Sequence, residues 1–478
     1  MAKLKQLAGE TVLYGLGSIV PRAINFLLVS LHTIDMFTPA QYGRITYLLS
    51  IVAFFNIVYS FGMETAYFRF ATKPGAEEHK IFNLALTSVL MVSVPFTILL
   101  LIFATPISNW ADVSGHAELI MWIAITMLVD ASVTIPFTRL RLQKKAWLFA
   151  SLKISIILIQ VGLNVYFLKF AYNPSIGIGY VFLANLIANF FYVIFFSRTL
   201  LSWRPAFDKT VSPQMLKYAY PIMLTGLAGM TNEMFSRITL ERWLPANFYG
   251  TISNSAAMGI FGACYKFAVF MNLGVQAFRY AAEPFFFSNA KEKNSPELFA
   301  KVNHYFVVTC CIFLFAISDN MGIIKYFIGS EFWSGLPIVP VLLLAYLFLG
   351  VYYNYSVWFK LTDQTYFGTI ITVIGAVITI GANYVLIPLF GYMGSSWAAL
   401  ICYFSMTVIC YFIGQKKYPI PYRMAADMGC IAATVALVAL SGQVQFSNLV
   451  INTVVHLILT GAFVFALYWV ERKDLKTL

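Results

Sequence analysis

Apolar runs about twenty residues long recur along the whole chain, and this repetition limits the fold more than any other feature of the sequence. A hydrocarbon layer about 30 Å thick is crossed by roughly 20 helical residues, so runs of that length read as membrane-spanning helices. They fall near 11–32, 45–67, 81–104, 117–138, 147–168, 175–197, 217–240, 256–279, 302–318, 337–359, 366–388, 393–414, 424–441 and 448–470. The composition agrees: 60% of the 478 residues are apolar and 11% are charged, too few charges to coat a water-soluble globule of this size. A formal charge of +12 invites a nucleic-acid reading. The basic residues, however, form no arm or stripe; they recur in short clusters between the runs. No nucleic-acid partner is therefore expected, and the partner that matters is the bilayer.

The basic clusters orient the spans. With a cytoplasmic amino terminus, only Arg44, Lys169, Arg237, Arg242 and Lys325 fall on the opposite side, and Arg22, Lys153 and Lys266 lie within spans. That leaves 24 of the 32 lysines and arginines in the cytoplasm, the asymmetry expected for an even number of spans with both termini inside. Trp110, Trp147, Trp203, Trp243 and Trp469 stand near span ends, where an amphipathic ring is at home. The opening MAKLKQ and its apolar stretch look like a signal peptide, but Arg22 interrupts the stretch and no small-x-small cleavage site follows. The segment is expected to be retained as the first span. The longest connections, 198–216 and 280–301, are too short and polar to fold alone.

One register suggests an internal repeat. Tyr47 and Tyr265, each early in an even-numbered span, have the same sequence separation as Lys73 and Lys291 in the basic loops that follow. Two six-helix bundles of the same orientation, 1–202 and 203–418, followed by two additional helices over 419–478, account for this; chance coincidence among many aromatic and basic residues is the alternative. Parallel repeats of this kind place a substrate path between the halves.

Enzyme chemistry has little to stand on. The chain has no GxxxxGK[ST] loop, no HExxH, no GxSxG elbow and no DxD pair, so ATP hydrolysis and metal-dependent glycosyl transfer are not expected. His32, His79, His116, His304 and His456 are scattered over different loops and spans, with no metal-site spacing. Cys264, Cys310, Cys311, Cys402, Cys410 and Cys430 all lie in or against apolar runs, as reduced thiols do. No catalytic residue, metal or cofactor is expected.

The informative residues are charges inside lipid-length helices, because a charge at mid-bilayer costs at least about 2.5 kcal/mol and faces a cavity or a partner. Arg22 lies about ten residues, or roughly 15 Å, into the first span, and Lys266 is about as deep in the eighth. Each is either one half of a buried ion pair or a substrate ligand. Two deep cations from different halves suit an anion such as a diphosphate, whose oxygens match a guanidinium fork and an ammonium. Glu233 and Arg237, four apart on the seventh helix with the acid first, form either a structural pair near the outer interface or part of the substrate site. Lys153 is expected to reach for the cytoplasmic surface. Glu64 and Asp130, in the cytoplasmic halves of spans two and four, either carry a coupling proton or make local hydrogen bonds. Arg69 and Arg279, at the cytoplasmic ends of spans two and eight, are placed at the mouth of a cavity.

Four stretches then carry a family likeness. They are YGLGSIVPRAINFLL followed by TPAQYGRITYL; SFGMETAYFRF; IPFTRLRLQKKAWLFA; and NEMFSRITLERWLP leading into GIFGACYKFAVFMNLGVQAFRYAAEPFFF. The spacing of Arg237, Gly262, Tyr265, Lys266, Gln276, Phe278, Arg279 and Pro284 is the most specific part. The sequence resembles the polysaccharide transporter family of the multidrug, oligosaccharidyl-lipid and polysaccharide flippase superfamily. The resemblance spans most of the chain and is strongest in spans 1, 2, 7 and 8. It implies two six-helix bundles around a central cavity, alternating access, and export of an undecaprenyl-diphosphate-linked oligosaccharide across a bacterial inner membrane for O-antigen, capsule or exopolysaccharide. It places Arg22 and Lys266 on the cavity wall and makes a polysaccharide polymerase or other assembly protein a partner. Ser236 departs from the family pattern, which often has an aspartate there; Glu233 is the acid this chain offers instead.

Two rival functions follow from the same residues. An ion-coupled exporter of organic cations, from the same superfamily, would need carboxylates at the cavity centre, and the deep charges here are cations. A membrane-embedded glycan polymerase or ligase would carry large outer loops with paired arginines and histidines, and the outer loops here are short.

Overall fold

The computed structural model describes the backbone of residues 2–290, 292, 294–444 and 446–475, and the side chains of all of these except 2–14, 18 and 473–475. Among the described residues the chain is all-helical apart from one isolated bridge between Tyr249 and Ile252. Among the described residues, eleven helices are long and apolar enough to cross a membrane, and every apolar run has a helix at its centre.

The chain divides into two compact units, Met1–Gly259 and Ile260–Leu478. The first unit contains α1 (Ala2–Ser30), α2 (Pro39–Ser60), α3 (Met63–Ala71), α4 (Glu78–Ile102), α5 (Ala117–Leu142), α6 (Ala146–Lys169), α7 (Gly179–Phe195) and α8 (Val211–Trp243). Helix α9 (Asn254–Asn289) begins in it and continues into the second unit. That unit holds α10 (Ser295–Asp319), α11 (Ile338–Tyr355), α12 (Tyr366–Lys417), α13 (Met424–Ser441) and α14 (Leu449–Leu475).

Local chemistry sets several boundaries. Thr38 and Gln41 form a reciprocal capping box at the start of α2, with Pro39 at its first position, where a missing N–H costs nothing. The second apolar run breaks where Phe61 and Gly62 both take left-handed φ, 52° and 68°. Ahead of α8, the Asp208 carboxylate accepts from the backbone N–H groups of Thr210 and Val211 at 2.9 Å each and meets Lys80 Nζ at 2.8 Å. The Lys80 contact, then the two N–H groups, hold the Asp208 carboxyl down at about 2.

The eleventh and twelfth runs stay separate helices, because the segment Tyr366–Lys417 is broken at Gly391 (φ 58°, ψ −135°), a conformation open to glycine alone. Two expectations about element ends change. The eighth run does not stop at 279: α9 continues ten residues to Asn289, through Pro284, so much of the supposed loop 280–301 is helical. The ninth run, short by hydropathy, is a 25-residue helix that begins with polar residues. Tyr47 and Tyr265 are both buried; Lys291, the other half of the proposed repeat, lies outside the described residues.

The core of the first unit gathers Tyr59, Met63, Tyr67, Phe82 and Met127, with a second cluster at Phe137, Phe149, Tyr192 and Phe196. In the second unit Phe286, Phe299, Val357 and Ile420 pack together. Large apolar side chains also point outward, Val450 at 70% exposure on α14 among them, as expected of a surface solvated by lipid.

Candidate functional site

The first unit collects most of the ionisable side chains singled out from the sequence. On α3 the Glu64 carboxylate accepts from Arg141 Nη2 at 2.9 Å, and the same nitrogen reaches Thr138 Oγ1 at 3.2 Å. Beside it, Glu78 at the head of α4 accepts from Arg139 Nη2 at 2.7 Å and from the Tyr67 hydroxyl. The Arg139 guanidinium also lies 4.8 Å from the centre of the Phe82 ring. Arg69, at the end of α3, has its guanidinium 4.3 Å from the centre of the Tyr218 ring on α8, a cation–π contact. Arg139 is thus held on both sides, by a carboxylate and by an aromatic face.

Asp130 on α5 and Lys153 on α6 are electrostatic partners. The Lys153 ammonium, expected to reach for the cytoplasmic surface, lies 4.2 Å from the Phe137 ring centre and 5.0 Å from that of Tyr192. Arg22 is about two turns past the start of the membrane-length segment Gly15–Met36 and its side chain is exposed. On α8, Arg237 is buried and its Nη1 approaches Met234 Sδ at 2.7 Å, while Glu233 is half-buried. Close to these helices an apolar cavity of about 350 Å³ is lined by Leu48, Phe55, Leu100, Trp110, Ile123 and Ile238, among others.

In the second unit Lys266 is half-buried on α9 between the buried Tyr265 and Phe267. Further along α9, Arg279 lies with its guanidinium 4.8 Å from the Tyr353 ring centre, and Glu283 pairs with Lys360. Arg279, Glu283, Tyr353 and Lys360 line one narrow cleft. The structure thus groups Arg279 with residues the sequence reading did not single out. It also groups Glu64 with Arg141, which that reading did not single out, and Asp130 with Lys153, both of which it did.

The sequence reading missed a set of buried polar groups between α10, α13 and α14. His304 contacts Asp427 and Glu471, and His456 contacts Asp319. The only sequence signal was position: His304 and His456 inside apolar runs, with Asp427 inside one and Asp319 and Glu471 just past the ends of two. No group of three or more His, Cys, Asp or Glu side chains among the described residues is arranged to hold a metal ion.

Comparison with known proteins gives a consistent result. A family model described as "Polysaccharide biosynthesis protein" matches residues 36–337. A curated relative, Lsg locus putative protein 1 of Haemophilus influenzae, is 22% identical over 412 residues, covering 83% of this chain and 96% of the relative. Among solved structures, a lipid II flippase MurJ in an inward closed conformation superposes with a TM-score of 0.72 at 14% identity, over 97% of this chain and 99% of that one. An inward-facing multidrug transporter of the MATE family gives 0.60 at 13% identity, over 85% and 94%. The fold of this chain is the one those transporters share.

Proposed function

Because the chain belongs to the polysaccharide biosynthesis protein family whose model covers most of its length, we propose that it is a flippase for a lipid-linked oligosaccharide. In this reading an undecaprenyl-diphosphate-linked glycan moves outward across a bacterial inner membrane, both chain termini are cytoplasmic, and bundles 1–202 and 203–418 rock about the substrate in alternating access.

One observation carries the reading: Arg22 presents an exposed guanidinium within a membrane-length helix. A charge facing hydrocarbon there costs at least about 2.5 kcal/mol, whereas one facing an aqueous cavity is available to an anion. Lys266, inside α9, supplies the second cation for the diphosphate, and Arg69 and Arg279 stand at the cavity mouth. Glu233 and Arg237 contribute the polar wall on α8. Of the two carboxylates considered for proton coupling, Glu64 is engaged by a guanidinium, which supports a positioning role; Asp130, beside Lys153, remains the coupling carboxylate of the first unit. The polyprenyl tail stays in lipid, and the exported glycan passes to a polymerase or other assembly protein.

Surface glycan in cells tests the site. Arg22→Ala and Lys266→Ala each remove a charge-assisted contact worth about 1.5–3 kcal/mol, so each is expected to reduce export by about tenfold or more with normal protein level and membrane insertion. Lys266→Arg should retain more export than Lys266→Gln. Undiminished glycan in both alanine variants contradicts the proposal.

A further inference from the structure

Helices α10 and α14 pack against each other, and each carries a histidine fifteen residues ahead of an acid: His304 and Asp319 on the first, His456 and Glu471 on the second. Antiparallel packing brings the histidine of each helix to the acid of the other. His304 Nε2 is 3.1 Å from Glu471 Oε2, and His456 Nδ1 is 2.7 Å from Asp319 Oδ1. Fifteen helical residues span about 22 Å, so the two contacts stand toward opposite faces of a hydrocarbon layer about 30 Å thick.

The two ends differ in what else the ring touches. His456 Nε2 lies 3.0 Å from the Val444 carbonyl oxygen, so that ring also donates through both nitrogens, but to one carboxylate and one neutral carbonyl. His304 has a carboxylate at each nitrogen: Nδ1 is 2.5 Å from Asp427 Oδ1 on α13. Asp427 Oδ2 accepts from Asn303 Nδ2 at 2.9 Å, and Asn303 Oδ1 from Asn354 Nδ2 on α11 at 3.2 Å. Among the described residues, the titratable neighbours include Cys430 on α13, beside His304, and Tyr355 on α11, beside Asp427.

An imidazole bonds carboxylates through both nitrogens only when it carries two N–H groups. Imidazole is a stronger base than a carboxylate, about 6.5 against about 4, so the extra proton belongs to the ring and the set of three carries a net charge of −1. When that proton leaves for water the charge becomes −2, and one ring lone pair faces a carboxylate oxygen. The Glu471 contact is longer than the Asp427 contact, and its carboxylate is more accessible, 14% against 1%. It is therefore the contact that opens.

We propose that His304, held between Asp427 and Glu471, is a proton-binding site whose deprotonation releases α14 from α10 at that end and so couples proton movement to transport. The proton-binding half stands on geometry alone; the coupling half rests on the flippase reading.

The experiment has two arms on the full chain in lipid vesicles. In the first, nitrogen-15 spectra of the histidine rings are compared for the parent, His304→Gln (for assignment) and Glu471→Gln, whose amide can donate to the ring. The expected result is two N–H groups on His304 at pH 7 in the parent and one in Glu471→Gln; a single N–H in the parent overturns the proton site. In the second arm, flipping of a fluorescent undecaprenyl-diphosphate disaccharide is followed with the membrane potential held at zero and a pH step of one unit imposed. The parent distribution should shift by up to tenfold with the sign of the step, while Glu471→Gln flips without responding to it. Parent flipping that ignores the step, or a variant that responds as the parent does, overturns the coupling. A chain that moves no lipid under any condition overturns the flippase reading and the coupling with it, and the ring spectra still decide the proton site.

Discussion

In Met1–Gly259 the carboxylates of Glu64 and Glu78 face the guanidinium groups of Arg141 and Arg139, whereas in Ile260–Leu478 Asp319, Asp427 and Glu471 face imidazoles. A guanidinium keeps its charge at any pH a protein meets, and an imidazole does not. These guanidinium pairs are therefore fixed charges that orient side chains. The imidazole pairs exist only at a particular proton count. Burial follows the same division: Arg141 and Glu64 are 39% and 43% accessible, His304 and Asp427 4% and 1%. The guanidinium pairs hold charge where water can compensate it; the imidazole pairs hold it where only the partner can.

The sharpest test of this contrast removes one acid from each kind of pair. Breaking a buried pair by deleting one partner typically costs about 3–5 kcal/mol, so Asp427→Ala should lower the thermal unfolding midpoint of the detergent-solubilised protein more than any other change named here. Glu64→Ala breaks a half-exposed pair worth about 0–1 kcal/mol, and its midpoint should stay near that of the parent. Equal losses for the two variants would erase the distinction between the units.

A smaller effect separates the two histidines. Asp319 also accepts from Thr460 Oγ1 at 3.1 Å, and His456 is anchored by a carbonyl that cannot titrate. Asp319→Asn keeps an acceptor oxygen for the His456 ring and turns its amide N–H toward the Thr460 hydroxyl oxygen, which can accept, so it should destabilise less than Asp427→Ala, with no change in the pH profile of flipping. A pH profile that shifts in Asp319→Asn as it does in Glu471→Gln would assign the proton to the wrong end of α10.

The smallest effect lies outside the membrane-spanning helices, at Asp208. Its carboxyl is held down at about 2, from an ordinary value of 3.8, so its stabilising contribution is complete above the unfolded value and is lost as pH falls through the folded one. Asp208→Asn should therefore lower the unfolding midpoint by the same small amount at pH 7 and at pH 5, and the gap should close only as pH approaches 2. A gap that closes by pH 5 would show that Lys80 and the two backbone donors do not hold this group.

Much of the fold was readable from length and hydropathy, because a helix in lipid must satisfy its own backbone and the bilayer sets how long it is. The misplaced ends share a cause. Arg279, Glu283 and Pro284 lower the hydropathy of the last turns of α9, yet an emerging helix continues past the hydrocarbon layer, and its polar turns pair with Lys360 and Tyr353. The break at Gly391 was visible only as a dip between two runs. Within the candidate site, Arg22 and Lys266 stood out because charge in an apolar run is conspicuous. The pairings of Glu64, Asp130 and His304 did not, since each joins residues on different helices, 77 apart for Glu64 and Arg141 and 123 apart for His304 and Asp427. Such pairs are fixed by packing angle and register, and a single sequence does not carry either.

The central claim, that fixed cations in this fold serve an anionic lipid substrate, is tested most directly by flipping in proteoliposomes. The purified chain is reconstituted, an undecaprenyl-diphosphate disaccharide is loaded in one leaflet, and its appearance in the other is followed beside that of a hydrophobic organic cation. The account predicts movement of the diphosphate lipid by the parent, a loss of about tenfold or more in Arg22→Ala and in Lys266→Ala, and no movement of the cation. Movement of the cation without the lipid, or lipid flipping that is unchanged in both alanine variants, would contradict it.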